Sequence, residues 1–200
     1  MAFELIRLDG GMGTLLQAKG LRAGETPEDW NVDRPDDIAA VHRAYVAAGS
    51  EIVYANTFGA NALKYHGKYT PERVIRAAVE IAKGAGAEKV ALDIGPTGRL
   101  LKPAGDLEFE DAVAAFAAEV RAGVAAGADL VVLETFGDIY ELKAAVLAAK
   151  ANCELPVYAT VALQEDGKLL TGASPECVAA LLESLGVDAY GFNCGLGPDR

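Results

Sequence analysis

The chain has 200 residues, of which 52% are hydrophobic and 24% charged, so it is long and apolar enough for one domain with a sizeable core. Its formal net charge of −11 argues against a surface for nucleic acid or anionic membranes, because phosphates repel a protein of that sign. No apolar run approaches the roughly 20 residues that span a bilayer, and the first residues lack the apolar stretch of a signal peptide. We therefore expect a cytoplasmic protein.

Short runs rich in β-branched residues predict six strands along the chain. Several of these runs are apolar throughout, which is typical of strands that are buried on both faces of a parallel sheet. The predicted strands cover residues 5–9, 52–56, 89–94, 130–134, 156–163 and 188–194.

Helical patterns occupy the segments between the predicted strands. A stripe that starts at Ile38 and is closed by Gly49 predicts the first long helix. Thr70 and Ser174 each precede a proline and a glutamate, which is the pattern of a helix N-cap followed by the first helical turn. Apolar residues spaced three or four apart predict a further helix over residues 109–124.

The strict alternation of strands and helices leaves two fold classes, a doubly wound sheet or a (β/α)8 barrel. Polar residues at the carboxyl ends of different strands favour the barrel, because such a ring forms a barrel's active face. They are Asp9, Asn56, Asp93, Glu134, Asn193 and Cys194. We predict an α/β fold of the TIM type as one domain over residues 1–200. A full barrel needs about 250 residues and eight units, so we expect it to be truncated at its C-terminus, with about six βα units.

The segment after the first strand predicts a binding loop. Asp9 is followed by Gly10, Gly11 and Met12, and glycines let backbone N–H groups approach an anion such as a carboxylate closely. The spacing is not that of a dinucleotide-binding loop. The alternative is a tight strand–helix turn in which Asp9 acts as a cap.

Three other strand ends carry candidate ligand-binding residues. Glu134 ends an apolar strand, where a carboxylate costs several kcal/mol to bury unless it is paired. A substrate ammonium would be a fitting partner, and a structural ion pair is the alternative. Asn56 could contact the ligand or stabilise a turn. Asp93 could orient Asp9 or the ligand, or could cap a loop.

Cys194, at the end of the sixth predicted strand, is the candidate metal ligand. A cysteine by itself is more often buried and inert. The chain has three cysteines, an odd number that does not indicate a disulfide framework. We expect Cys153 on the opposite face of the barrel and Cys177 in the outer layer. His42 and His66 lack any metal-binding motif, and we expect them to be surface or packing residues.

Four segments together resemble the homocysteine-binding domain family of zinc-dependent S-methyltransferases. They are LDGGMGT at 8–14, ANTFGAN at 55–61, LETF at 133–136 and GFNCGLGP at 191–198, and the resemblance runs from residue 3 to residue 200. Within the family, DGKLLTG at 166–172 and NCGLGP at 193–198 are most similar to the amino-terminal module of cobalamin-dependent methionine synthases.

The resemblance implies a (β/α)8 barrel that binds homocysteine and transfers a methyl group to its thiolate to give methionine. It implies that Asp9 and Glu134 hold the ammonium group, and that the N–H groups around Gly10, Gly11 and Met12 hold the carboxylate. Cys194 would be the first of three zinc thiolates, the other two lying in a later GGCCG-type motif that this sequence does not contain.

The same resemblance implies a methylcobalamin donor on another module, with folate- and cobalamin-binding modules as partners. It assigns no catalytic side chain in this chain, and nucleic acid and membranes are not expected partners. Two alternatives stay open. One is an amino-acid-binding barrel fragment without catalysis, and the other is an unrelated barrel enzyme in which Asp9 and Glu134 form an acid–base pair.

Overall fold

The computed structural model describes residues 5–195 and 197, which form an α/β unit around one parallel sheet. Neighbouring strands are parallel and follow one another in chain order across the sheet. The strands are β1 (Ile52–Tyr54), β2 (Lys89–Ile94), β3 (Leu130–Phe136), β4 (Val157–Val161) and β5 (Ala189–Phe192).

Helices connect the strands and cover the outer face of the sheet. They are α1 (Met12–Ala18), α2 (Trp30–Asp33), α3 (Pro35–Ala47), α4 (Pro71–Gly84), α5 (Phe109–Ala125), α6 (Ile139–Asn152) and α7 (Pro175–Ser184), with a short 3-10 helix at Pro27–Asp29 before α2. None of the helices in the described part of the chain is long and apolar enough to cross a membrane.

The predicted order of strands and helices is confirmed, with one difference at the first strand. Residues 5–9 form no regular strand of their own but pair with β1 through a single bridge between Leu8 and Ile52. The Asp9 N–H donates to the Ile52 carbonyl at 3.1 Å, and the Glu51 N–H donates to the Arg7 carbonyl at 2.8 Å. The described residues thus form an open wall of an incomplete TIM-type barrel, with the first segment beside β1 as the barrel order requires.

The helix starts follow the predicted patterns, although only one of the two caps is made. The Thr70 hydroxyl accepts a hydrogen bond from the Arg73 N–H at 3.3 Å, which satisfies a free donor of the first turn of α4. Ser174 occupies the same position before α7 but makes no capping bond, and its hydroxyl lies 3.7 Å from the Cys177 sulfur.

Alternate residues of β1, β2, β3 and β4 enter two different cores. In β2, Leu92 and Ile94 face the helices, where they join a large cluster that includes Phe116 of α5. Ala91 faces the other way, into a smaller cluster on the inner face of the wall that contains Ile52, Leu130 and Val132. This alternation decides which strand residues point into the barrel interior and toward its mouth.

His42 lies within α3 and is a packing residue, which is one of the two roles that the sequence predicted for it. Its side chain is fully buried, and neither ring nitrogen has a hydrogen-bond partner among the described residues. Burial lowers the pKa of His42 from 6.5 to about 4, because the charged imidazolium is poorly solvated there.

We expect His42 to make the fold sensitive to acid. The unfolded chain takes up a proton below pH 6.5, whereas the folded chain resists protonation until about pH 4, so stability is full above 6.5 and is lost as the pH falls toward 4. This linkage amounts to about 2 kcal/mol of unfolding free energy between pH 7 and pH 5. Urea titrations of the wild type and His42→Leu at both pH values measure it.

The variant should lose about that much less stability on acidification than the wild type. Buried carboxyl groups with raised pKa act in the opposite direction, so the difference between the two proteins is the measured quantity. His66→Leu, at an exposed position, is the control and should follow the wild type. Equal pH dependence of the wild type and His42→Leu would contradict the expectation.

Candidate active site

A cavity of about 540 Å³ opens at the carboxyl ends of the strands. The loop that follows residues 5–9 lines this one cavity. The cavity is also lined by the polar residues that were predicted at separate strand ends. They are Asp9, Asn56, Asp93, Glu134, Asn193 and Cys194. The parallel sheet brings them together because the carboxyl ends of all its strands lie at the same edge.

Asp9 is tied to the neighbouring strand and does not cap α1. Its Oδ2 accepts a hydrogen bond from the Tyr54 N–H at 2.9 Å, and the N-cap position of α1 is Gly11, which makes no side-chain cap. Burial raises the pKa of Asp9 to about 7. The hydrogen bond from Tyr54 lowers this pKa, whereas the nearby charge of Glu134 raises it further. Burial therefore disfavours the charged form of this carboxyl group.

The glycine loop lines the cavity and carries backbone donors that have no acceptor among the described residues. Gly10, Gly11 and Met12 all line it, and no acceptor for the N–H groups of Gly10 and Gly11 is found among the described residues. Tyr45 holds the loop from behind, since its hydroxyl donates to the Gly11 carbonyl at 3.2 Å. A Cβ at residue 10 would lie 3.0 Å from that hydroxyl oxygen, so glycine lets the loop pack closely there.

Glu134 is held by an amide and not by an ion pair. Asn193 Nδ2 donates to Glu134 Oε2 at 2.5 Å, and no Arg or Lys among the described residues forms a salt bridge with Glu134. Burial raises the pKa of Glu134. The structural ion pair that was the alternative for this residue is therefore not formed within the described chain.

Asn193 organises this side of the cavity. Its Oδ1 accepts from the Thr135 N–H at 3.0 Å and from the Thr160 hydroxyl at 2.9 Å, while its Nδ2 holds Glu134. Thr135, which donates this N–H, has a positive φ of 64°. The sequence placed Asn193 at a strand end but gave no sign that it joins three strands.

Asn56 lines the cavity, but its amide stabilises the segment around the 3-10 helix. Its Nδ2 donates to the Pro27 carbonyl at 2.9 Å and to Asn31 Oδ1 at 2.9 Å, and Asn31 donates back to the Asn56 carbonyl at 2.8 Å. Both donors of the Asn56 amide are therefore used within the protein, and its Oδ1 is what it can still offer to a ligand.

Glu28 is a cavity residue that the sequence reasoning missed. It is buried and accepts a hydrogen bond from the Gly59 N–H at 2.6 Å. Burial raises its pKa, and that backbone hydrogen bond partly offsets the rise. Glu28 belongs to the 3-10 helix and not to a strand end, so the pattern of polar strand ends did not include it. Only its burial next to the ANTFGAN segment identifies it as a cavity residue.

Cys194 reaches the cavity, whereas the other two cysteines do not line it. Its positive φ of 50° turns the chain at the end of β5, and its sulfur lies 3.6 Å from Asn193 Nδ2. Cys153 is the C-cap residue of α6 and Cys177 lies in α7, so the expected separation of the three thiols is observed.

The described residues do not by themselves fit a zinc ion. Catalytic zinc takes about three protein ligands. Within residues 5–195 and 197, no group of three or more His, Cys, Asp or Glu side chains is placed to hold a metal. Cys194 supplies one thiol at the cavity.

A family model and curated relatives show the family of the chain. The family model described as homocysteine S-methyltransferase matches residues 6–200. Methionine synthases of Mycobacterium leprae and Mycobacterium tuberculosis are each 33% identical to the chain over 95% of its length. The chain spans 18% of the length of each of these two relatives.

Solved structures give the same result for the fold. The oxidized form of the homocysteine methyltransferase MmuM from Escherichia coli superposes with a TM-score of 0.84 at 25% identity, covering 95% of this chain and 73% of MmuM. The metallated form of MmuM gives a TM-score of 0.81 at 26% identity and covers 94% of this chain and 74% of MmuM.

Proposed function

Since the chain belongs to the homocysteine S-methyltransferase family, we propose that its cavity binds homocysteine and presents the sulfur for methylation to methionine. The observation that carries the proposal is that Asp9, Glu134 and Cys194 line one cavity. The carboxyl groups that would bind the ammonium of the ligand and the thiol that would lie near its sulfur therefore border the same space. The family match argues against the alternative of an unrelated barrel hydrolase or lyase.

In this proposal the ammonium group of homocysteine binds between Asp9 and Glu134. Both carboxyl groups are partly buried, and neither forms a salt bridge with an Arg or Lys among the described residues. An ammonium there would make charge-assisted hydrogen bonds and would offset the cost of burying the carboxylates. Asn193 fixes the direction of Glu134 and leaves its other oxygen for the ligand.

The carboxylate of homocysteine binds at the glycine loop in the same proposal. The N–H groups of Gly10 and Gly11 have no acceptor among the described residues, and Met12 begins α1 directly after them. Backbone donors grouped in such a turn favour an anion. The two ends of the amino acid are thereby fixed, which directs the side chain and its sulfur toward the rest of the cavity.

The sulfur end of the ligand is assigned to the side of the cavity that carries Cys194. We propose Cys194 as one thiolate ligand of a zinc ion whose other ligands come from outside the described residues. The methyl donor is proposed to be methylcobalamin, delivered with the help of folate- and cobalamin-binding modules. Support for this donor is the similarity to methionine synthases that are much longer than this chain.

A second candidate function is an amino-acid-binding module that does not catalyse methyl transfer. It is favoured by one observation, namely that the described residues contain no group of three metal-binding side chains. The module would use the same ammonium and carboxylate contacts, so homocysteine binding alone does not separate the two functions. Binding that is unchanged by added Zn²⁺ would favour the module.

Isothermal titration calorimetry with L-homocysteine tests the proposal directly. We expect binding of one ligand per chain, and clearly weaker binding of L-alanine, which has the amino-acid group but no sulfur-bearing arm. Titrations with and without Zn²⁺ then separate the two candidate functions. A lack of heat with L-homocysteine under both conditions would contradict both.

We expect homocysteine affinity to fall as the pH drops below 7. Asp9 binds the ammonium only when ionised, and its pKa of about 7 means that protonation competes with the ligand below that value. Asp9 faces Glu134, whose charge raises this pKa further, and the Tyr54 N–H, which lowers it. Linkage to one such group predicts a loss of about tenfold in affinity from pH 7.5 to pH 6.

Calorimetry at the two pH values measures this dependence. Asp9→Asn, which cannot ionise, should bind more weakly at pH 7.5 and show a flatter pH dependence. If the wild type binds equally well at pH 6 and pH 7.5, Asp9 does not pair with the ammonium in the ionised form.

A further inference from the structure

Asp93 of β2 is a carboxylate of the cavity for which the proposed function has no role. We propose that Asp93 is a third carboxylate that binds the substrate ammonium, beside Asp9 and Glu134, and thereby sets the preference of the cavity for a ligand that carries an ammonium group. The inference rests on the proposed function and adds a specificity-determining residue to it.

The strand register directs Asp93 into the cavity. Asp93 pairs with Val132 of β3, and Ala91, two residues earlier, pairs with Tyr54 of β1. Ala91 and Val132 belong to the cluster on the inner face of the wall, so Asp93 shares that face. It also lines the same cavity as Glu134, which lies two residues beyond Val132 on the inner face of β3.

The backbone of Asp93 is fixed by Thr57. The Thr57 hydroxyl donates to the Asp93 carbonyl at 2.7 Å and accepts from the Asp93 N–H at 3.2 Å. This pair of hydrogen bonds holds the backbone of Asp93 in place at the end of β2, where its side chain lines the cavity.

One oxygen of the Asp93 carboxyl group has no partner among the described residues to compensate for its burial. The residue is only 7% exposed, and its Oδ1 is buried without a hydrogen-bond partner among the described residues. Leaving a buried polar atom unpaired costs about 1–3 kcal/mol, so such atoms are rare unless a ligand satisfies them. A donor from a ligand in the cavity would remove this cost.

The charge around Asp93 calls for a cationic ligand. Burial raises the pKa of Asp93 well above its usual value, and the nearby charges of Glu134 and Asp9 raise it further. A primary ammonium carries three N–H donors, which matches the number of carboxyl groups that Asp9, Asp93 and Glu134 bring to the same cavity. A neutral or anionic group would leave the repulsion between these carboxylates uncompensated.

Calorimetry with two ligands on the full chain tests the inference. The ligands are L-homocysteine and 4-mercaptobutanoate, which has the same carbon chain and thiol but no ammonium. We expect Asp93→Asn to weaken homocysteine binding by about tenfold or more, the usual effect of losing a charge-assisted hydrogen bond. The same variant should bind 4-mercaptobutanoate as well as the wild type, because this ligand has no ammonium group for Asp93 to bind.

Glu119→Gln is the matched control. Glu119 is another buried carboxyl group with a raised pKa, of about 8, but it pairs with Asn61 and does not line the cavity. It should change the affinity of neither ligand by more than about twofold. Asp93→Ser provides a second variant in which a small hydroxyl replaces the carboxyl group, and thermal unfolding establishes that each variant is folded.

The outcomes separate the inference from the function on which it rests. Unchanged homocysteine affinity in Asp93→Asn and Asp93→Ser would overturn the inference and leave the proposed function standing. An equal loss of affinity for both ligands would also overturn it, because that result indicates a structural role. A wild type that fails to bind homocysteine would overturn both.

Discussion

Replacing Glu134 with glutamine is expected to weaken L-homocysteine binding by about 10- to 100-fold, the range for losing a hydrogen bond to a charged group. Glutamine keeps the length of the side chain and an oxygen that can accept from Asn193 Nδ2, which holds Glu134 at 2.5 Å. The substitution therefore removes the charge and leaves the local packing in place. Calorimetry at pH 7.5 measures the change.

The control for this substitution is Glu80→Gln, which makes the same chemical change on the exposed face of α4. It should leave the affinity unchanged within about twofold, as is usual for surface positions away from a site. If Glu134→Gln binds homocysteine as tightly as the wild type, the ammonium does not lie against β3. The orientation of the amino acid in the cavity would then have to be reversed or rejected.

Replacing Phe116 with alanine is expected to lower the free energy of unfolding by about 3–5 kcal/mol, because the change removes a large buried ring and leaves a cavity. Phe116 of α5 is fully buried between the helix layer and the sheet. Its ring packs against Phe136 at the end of β3, with 5.9 Å between the ring centroids and 55° between the planes. Urea denaturation followed by circular dichroism measures the loss.

Val124→Ala on the same helix is the control, since Val124 is 37% exposed. It should cost well under about 1 kcal/mol, because little apolar surface is lost from the core. A loss below about 1 kcal/mol for Phe116→Ala would mean that the side chains between α5 and the sheet rearrange and fill the space left by the ring. The packing described for this core would then be wrong.

Local patterns were enough for most of the fold. The run at 89–94 is apolar except for its first residue and Asp93, and β2 has the same bounds, because a strand covered on both faces needs such a run. The predicted helix over 109–124 differs from α5 by one residue at its end, and Pro71 begins α4 as the N-cap pattern required. The first strand was less well predicted, since residues 5–9 make one bridge to β1.

The sequence by itself determined the alternation of elements and the identity of the polar residues at the strand ends, since both depend on neighbours within a few positions of the chain. Parallel strands then forced Asp9, Glu134 and Cys194 toward one edge. Only the tertiary structure decided which partners these residues have. Asn193 donates a hydrogen bond to Glu134, which lies 59 positions away in the sequence. Thr57 binds the backbone of Asp93, which lies 36 positions away.

Burial was likewise decided by the tertiary structure. Local sequence does not show that Asp93 has an oxygen without a partner among the described residues. Nor does it show that the Asn56 amide binds Pro27 and Asn31, or that Glu28 lines the cavity. Each of these facts depends on which distant segment covers the side chain. The physical reason is that desolvation and hydrogen bonding act through space, whereas a sequence pattern records only spacing along the chain.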